Sequence, residues 1–264
     1  MATTDIVLTA VDKGIATITL NRPEAHNAFD EHVIATLSGK LDALLIERDV
    51  HTLVLRGAGK SFSAGADLNW MKRAANFTDQ QNKGDALALA AMLNKLATLP
   101  KTTIACVQGV AMGGGLGLVA CCDIVITQAD TLFSLSEVKL GLIPATIAPY
   151  VLRAIGERQC RRYFQTAERF TGETACAIGL AHEVVTNEGE MESKLAQILE
   201  SLHANAPHAK GEAKKLCLDL AGKPLDQAMM NDTATRIAQT RAGVEAREGL
   251  NAFLEKRKPS WIKA

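Results

Sequence analysis

One stretch carries glycines and an acid at a spacing that could do chemistry: IACVQGVAMGGGLGLVACCDIVITQADTLFSLSEVKLGLIP, from Ile104 to Pro144. An apolar run ends in Gly113-Gly114-Gly115, and Glu137 stands further on between Ser136 and Val138. Glycine has no β-carbon, so a ligand can rest directly on the main chain. A helix leaving such a turn directs free N–H groups and the positive end of its dipole at that ligand. The chemistry on offer is stabilisation of a carbonyl oxygen that becomes an anion, with a carboxyl group to move a proton. A lone glycine triplet reads as a tight turn that lets a helix pack on a sheet. Here a second small-residue turn, Ser63-Ala64-Gly65-Ala66-Asp67, also follows a strand-like run, Thr52-Leu53-Val54-Leu55. Two turns at strand ends can supply two converging N–H donors.

The elements that would hold these turns alternate strand and helix. IVLTAV and IATITL form a hairpin across Asp12-Lys13-Gly14, and Asn21-Arg22-Pro23 stops its second strand. Asp30 caps a helix with Val33, Ile34, Leu37, Leu41, Leu44 and Leu45 at helical spacing. HTLVLRGAG is a buried strand, Asp79–Ala97 a helix, and TTIACVQGVAM one strand entering the glycines. Cys121–Thr127 and Thr131–Ser134 read as strands, and Pro149–Ala167 as helical. After Asn187 everything reads as helix: Glu190–Ala204, Ala206–Leu220 and one long helix over Asp226–Lys258. The expected organisation is an α/β domain over residues 1–187 and a helical region over 188–264. Alternation of this kind builds a mostly parallel sheet, whose ligands sit at the carboxyl ends of the strands. Both small-residue turns lie there. The polar Asn76–Gly84 stretch is expected to act as a lid.

Composition narrows the function. The 264 residues carry 29 Lys and Arg against 29 Asp and Glu, so no basic face invites nucleic acid and no charge favours a membrane surface. Six cysteines lie in mostly apolar contexts without C-x-x-C or zinc-finger spacing, as expected of free thiols in a reducing, cytoplasmic setting without a metal. The N-terminal residues MATTDIVLTAVDKG show no leader, and no run is apolar enough to span a bilayer. Nothing in the sequence pairs one of the six histidines convincingly with a serine or cysteine, so no nucleophilic triad is expected. The glycine triplet lacks the Lys-Ser/Thr of a phosphate loop, and there is no G-x-G-x-x-G fingerprint. Asp67 and Asp123 read as a helix cap and a turn residue, and Trp70 and Met71 as packing.

Four segments resemble the enoyl-CoA hydratase/isomerase (crotonase) family. They are Asn21-Arg22-Pro23 through Asn27-Ala28, Phe62 through Leu68, Gly109 through Asp123, and Arg247-Glu248-Gly249 through Arg257. Each is weak alone; in this order and spacing they are specific. The resemblance implies a spiral of β-β-α units with a C-terminal helical region that assembles trimers, or hexamers as dimers of trimers. It implies an oxyanion hole from the main-chain N–H groups of Ala66 and Gly114, and Glu137 as the catalytic acid or base. Coenzyme A, as part of the substrate and with no separate cofactor, would be bordered by Arg22, Ala25, Ala28, Ala64, Gly65, Asp67, Leu68 and Gly113. Phe253 and Lys256 would lie near it too.

Family hydratases usually carry two glutamates, and the first of those positions is here Gly117, grouped with the substrate-binding residues. One glutamate suffices for a double-bond shift, which favours an isomerase. Gly65 through Lys72, Leu135 through Gly141 and Pro144-Ala145-Thr146-Ile147 instead resemble the bacterial 3-methylglutaconyl-CoA and isohexenylglutaconyl-CoA hydratases, a branch in which the first glutamate need not be present. The expected reaction is hydration of a branched glutaconyl-CoA of leucine or terpenoid breakdown, with Δ3-Δ2-enoyl-CoA isomerisation as the alternative. Outside catalysis stands a CoA-thioester-binding or RNA-binding protein. The free carboxylate of a glutaconyl chain calls for a cation, and Lys72, Arg73 and Lys139 are candidates, although each singly reads as a solvated surface charge.

Overall fold

The computed structural model describes residues 5–262. The chain divides into two compact units, residues 1–194 and 195–264.

The first unit begins with the expected hairpin, β1 (Val7–Asp12) against β2 (Ile15–Leu20), with Lys13 and Gly14 at positive φ in the turn. Helix α1 (Glu31–Ile46) starts at Asp30, whose carboxylate accepts from the N–H groups of His32 and Val33. Strand β3 (Thr52–Gly57) follows. Two helices come next, α2 (Leu68–Ala74) and α3 (Asp79–Thr98). The run read as one strand before the glycines is two: β4 (Thr102–Val107) and β5 (Val110–Met112). The break falls at Gly109, where φ is +65° and a β-carbon would collide with the carbonyl of Lys60.

Beyond the glycines come α4 (Gly114–Cys121), β6 (Ile124–Gln128) and β7 (Leu132–Ser134). Cys121, expected in a strand, ends α4 instead. A 3-10 turn over Glu137–Leu140 leads to α5 (Ala148–Thr166), then β8 (Phe170–Thr171), α6 (Gly172–Ala177) and β9 (Glu183–Val185).

Six strands form one sheet in the order β1-β2-β3-β4-β6-β9, parallel throughout except for the opening hairpin. β5, β7 and β8 form a second, smaller sheet. The apolar stripes of α1 (Leu37, Leu41, Leu44) and α3 (Met92, Leu93, Leu96) join the strand residues Ile18, Leu53 and Leu55 in one core. Truncating such a buried leucine typically costs about 2–5 kcal/mol.

Only the first three residues of the Asn76–Gly84 stretch are loop. Thr78 and Gln81 close a reciprocal cap at its centre, and residues from Asp79 on are the first turns of α3.

Helix α7 (Glu188–His203) crosses the division between the units, so the boundary expected at Asn187 falls further along, after Lys194. The second unit holds the rest of α7, α8 (Pro207–Leu220), α9 (Gln227–Ala242) and α10 (Val244–Leu254). The single long helix expected over Asp226–Lys258 is broken at Gly243, which is extended (φ −71°, ψ 161°) and serves as C-cap to one helix and N-cap to the next. Glu245 accepts from the N–H groups of His208 and Ala209, tying the start of α10 to the start of α8.

Candidate active site

Three main-chain segments of the first unit are stitched together, and Glu137 is added to them. The first is the bend after β2. His26 and Asn27 both take left-handed conformations there, with φ of 50° and 53°. Asn27 is buried and fully used: its amide donates to the carbonyls of Ala58 and Ser61 at 2.8 and 2.7 Å, and its side-chain oxygen accepts from Arg22 N–H at 2.8 Å. The second segment is the turn after β3. Ala64 N–H donates to His26 O, Phe29 N–H to Gly65 O and Asp67 N–H to Phe29 O, at 2.9, 2.8 and 3.1 Å. That bridge uses residues 65 and 67 and leaves the N–H of Ala66 without an acceptor among the described residues.

The third segment is the glycine turn. Ser63 N–H donates to Val110 O and Met112 N–H to Ser63 O, both at 3.0 Å. Gly113 sits at φ 47°, ψ −119°, open to glycine alone, and its N–H donates to Ser134 O at 2.9 Å. The next residue, Gly114, is the first of α4, so its N–H has no intrahelical partner. The two turns are in close approach: a β-carbon on Gly65 would lie 2.7 Å from Met112 O and 3.6 Å from Gly114 N. The ring of Phe29 covers Gly114, with its Cζ 2.5 Å from where a β-carbon would be. Two unengaged N–H groups, of Ala66 and Gly114, thus belong to turns that touch.

Glu137 reaches the same place. The Gly113–Ser134 hydrogen bond anchors the end of β7, three residues before Glu137. A β-carbon on Gly113 would lie 3.1 Å from Glu137 Oε1, so the carboxylate rests on that glycine. Its Oε2 is sealed from solvent and has no hydrogen-bond partner. Burial pushes its pKa above the ordinary glutamate range, and a hydrogen bond from its own N–H only partly offsets this. A half-buried carboxyl group with one unpaired oxygen beside two unengaged N–H groups is placed to give or take a proton.

Asp67 caps α2, accepting from the N–H groups of Asn69 and Trp70 at 2.8 and 3.2 Å. Arg22 donates to its other oxygen at 3.0 Å and to Ala28 O at 2.8 Å. Burial would raise the Asp67 pKa, but the N–H groups of Trp70 and Asn69 and the Arg22 guanidinium hold it below its ordinary value. Arg22 and Asp67 therefore brace the first two segments. Ala25 and Ala64 are half-buried beside them, Ala28 is buried, and Leu68 is exposed at the first position of α2. The Trp70 indole N–H donates to Asp85 at 3.1 Å, which ties α2 to α3. Gly117 is buried one turn into α4, facing Ile147 and Leu93. Phe253 and Lys256 belong to the second unit, both exposed at the end of α10.

Among the described residues one trio could gather a cation, Asp30, Glu31 and His32, but Asp30 is the cap of α1 and Glu31 pairs with Arg73 at 2.7 Å. None of these groups lies on the glycine turn. No helix among the described residues is long and apolar enough to cross a membrane. Sequence reasoning gives no role of their own to Asn27, Phe29 or Ile147. Asn27 and Ile147 both lie inside motif segments, which is a signal; nothing in sequence pairs Phe29 with Gly114 or Ile147 with Gly117.

The sequence pattern of the enoyl-CoA hydratase/isomerase family matches residues 10–264, and the chain belongs to that family. A crystal structure described as an enoyl-CoA hydratase from Shewanella pealeana superimposes with a TM-score of 0.94 at 42% identity, covering 97% of this chain and 96% of that one. Pseudomonas aeruginosa AtuE gives a TM-score of 0.94 at 36% identity, covering 98% of this chain and all (100%) of that one. Enoyl-CoA hydratase AKT6-1 of Alternaria alternata is 31% identical over 247 residues, 93% of this chain and 80% of its own. The expected crotonase-type α/β fold is therefore the fold of this chain.

Proposed function

We propose that this protein hydrates the 2,3 double bond of an enoyl-CoA thioester, most naturally a branched glutaconyl-CoA such as 3-methylglutaconyl-CoA. The observation that carries the reading is Glu137, resting on Gly113 with one buried, unpaired oxygen, next to a helix start whose first N–H is unengaged. The thioester oxygen sits between the N–H groups of Ala66 and Gly114. Glu137 takes a proton from water as the water oxygen bonds to the β-carbon, and the electron pair of the double bond moves through the α-carbon onto the thioester oxygen. Glu137 then returns that proton to the α-carbon, and the enolate collapses to the thioester. The net change is one water added.

Arg22, Ala25, Ala28, Ala64, Gly65, Asp67 and Leu68 border the coenzyme A in this reading, and no separate cofactor enters the reaction. Phe253 and Lys256 complete the coenzyme site from a neighbouring subunit of a trimer or hexamer. Lys72 and Lys139 form no ion pair among the described residues, and Lys139 lies on the turn that carries Glu137. They suit the free carboxylate of a glutaconyl chain better than Arg73, which Glu31 already engages.

A second reading is favoured by Gly117, which leaves Glu137 without a partner carboxylate. In Δ3-Δ2 isomerisation Glu137 removes a proton from the α-carbon and returns it to the γ-carbon, with no water. Turnover of 3-methylglutaconyl-CoA, crotonyl-CoA and a 3-enoyl-CoA, with products weighed by mass spectrometry, separates the two. Mass gain of one water with preference for the glutaconyl substrate supports hydration; a double-bond shift at constant mass replaces it with isomerisation.

A further inference from the structure

Glu137 stands against the start of α4, and Gly117 lies one helical turn further on, its N–H donating to Gly113 O at 3.0 Å. Side chains one turn apart share a helix face, and each leans toward the helix N-terminus. A side chain at position 117 would therefore be directed back toward Gly113 and the Glu137 carboxylate. The space at the root of such a side chain is filled. A β-carbon on Gly117 would collide with Cγ2 of Ile147, and it would lie 3.0 Å from Ile147 Cβ and 3.8 Å from Leu93 Cδ2.

Ile147 cannot easily step aside. It is 1% exposed, its carbonyl accepts from the N–H groups of Tyr150 and Val151 at 3.1 Å each, and it opens α5. Its branched β-carbon restricts χ1. Adding water to a double bond calls for both a base toward water and an acid toward carbon. Two carboxylates divide those roles; one must perform them in turn.

We infer that Ile147 occupies the space a side chain at position 117 would need, so that no second carboxylate can stand there, and that it thereby keeps the site a one-carboxylate catalyst. The inference rests on the reading of Glu137 as the proton-transferring group. Ile147 acts here as a specificity-determining residue through packing against Gly117.

The test compares wild type, G117E, I147A and G117E/I147A by thermal melting and by crotonyl-CoA turnover across pH. G117E is expected to melt several degrees below wild type, and the same change in the I147A background to lower melting far less. G117E/I147A is expected to hydrate crotonyl-CoA at least tenfold faster than I147A, with a second carboxylate limb in its pH profile. An equal loss of melting temperature in both backgrounds would overturn the packing claim. Thermal rescue without a gain in hydration or a second limb would overturn the claim about the reaction. A wild type inert toward every thioester would remove the reading of Glu137 itself, and the thermal comparison would still decide whether Ile147 bars position 117. Should G117E not fold, G117A, which adds the β-carbon alone, runs the same comparison.

Discussion

Replacing Glu137 by glutamine tests stability and chemistry in one protein. The Oε2 atom is sealed from water without a partner, and burial raises the carboxyl pKa. A group whose folded-state pKa lies above its unfolded one binds its proton more tightly in the native state. Stability then falls as pH rises from the ordinary glutamate range through the raised value. Glutamine never charges, so E137Q is expected to be more stable than wild type at neutral pH, and the difference is expected to vanish below about pH 4, where both carboxyl forms are protonated. An unsatisfied buried polar group costs about 1–3 kcal/mol. The lower end applies, because the side chain is only half-buried and the amide remains polar. In a chain of this size about 1 kcal/mol corresponds to about 2–4 °C. Melting curves from pH 4 to 8 on both proteins read this directly. A constant offset across pH would refute the burial argument. Turnover is expected to fall about 100- to 10,000-fold, the usual contribution of a positioned acid or base. Full turnover by E137Q would refute the assignment of Glu137 to proton transfer, whatever the melting curves show.

G114A sets a methyl group 2.5 Å from Phe29 Cζ. The ring or the turn must move, which is expected to cost about 1–3 kcal/mol in denaturant melts and, through the displaced N–H, about 100- to 1,000-fold in kcat. D67A removes the cap of α2 and the main partner of Arg22; a loss of about 0.5–2 kcal/mol is expected, with a raised KM for every CoA thioester regardless of acyl chain. Because the Asp67 carboxyl is held below its ordinary pKa, its contribution is present above the ordinary aspartate range and lost as pH falls through the lowered value. The D67A deficit in melting temperature should therefore shrink under acid conditions. K139M is expected to raise KM for 3-methylglutaconyl-CoA about tenfold while leaving crotonyl-CoA unchanged, tenfold being about 1.4 kcal/mol; equal effects on both substrates would remove Lys139 from carboxylate recognition.

What sequence could say about this fold was set by range. Asp30 announced α1 because a cap and its helix are neighbours in the chain, and the two small-residue turns announced themselves because strand ends followed by Gly and Ala have few other uses. Local signals also misled. Asn76–Gly84 is polar and resembles a loop, yet the Thr78–Gln81 cap makes much of it helix. Asp226–Lys258 has helical spacing throughout, yet Gly243 breaks it, since a glycine gains little from helical order and accepts an extended cap. At the site the turns and Glu137 were legible as types of residue, but their juxtaposition depends on contacts between distant segments: Phe29 on Gly114, Ser134 on Gly113, Ile147 on Gly117. The last of these changes how the missing carboxylate is understood. In sequence, Gly117 is an absence, and an absence can be filled by any nearby group or by water. In three dimensions the space is packed with an isoleucine whose main chain is fixed at the start of α5. The glycine and the isoleucine are one packing unit, so a single substitution at either position leaves a clash or a hole. Chemistry that needs a second carboxylate at this spot is therefore two coordinated substitutions away, because the glycine at 117 and the isoleucine at 147 must change together.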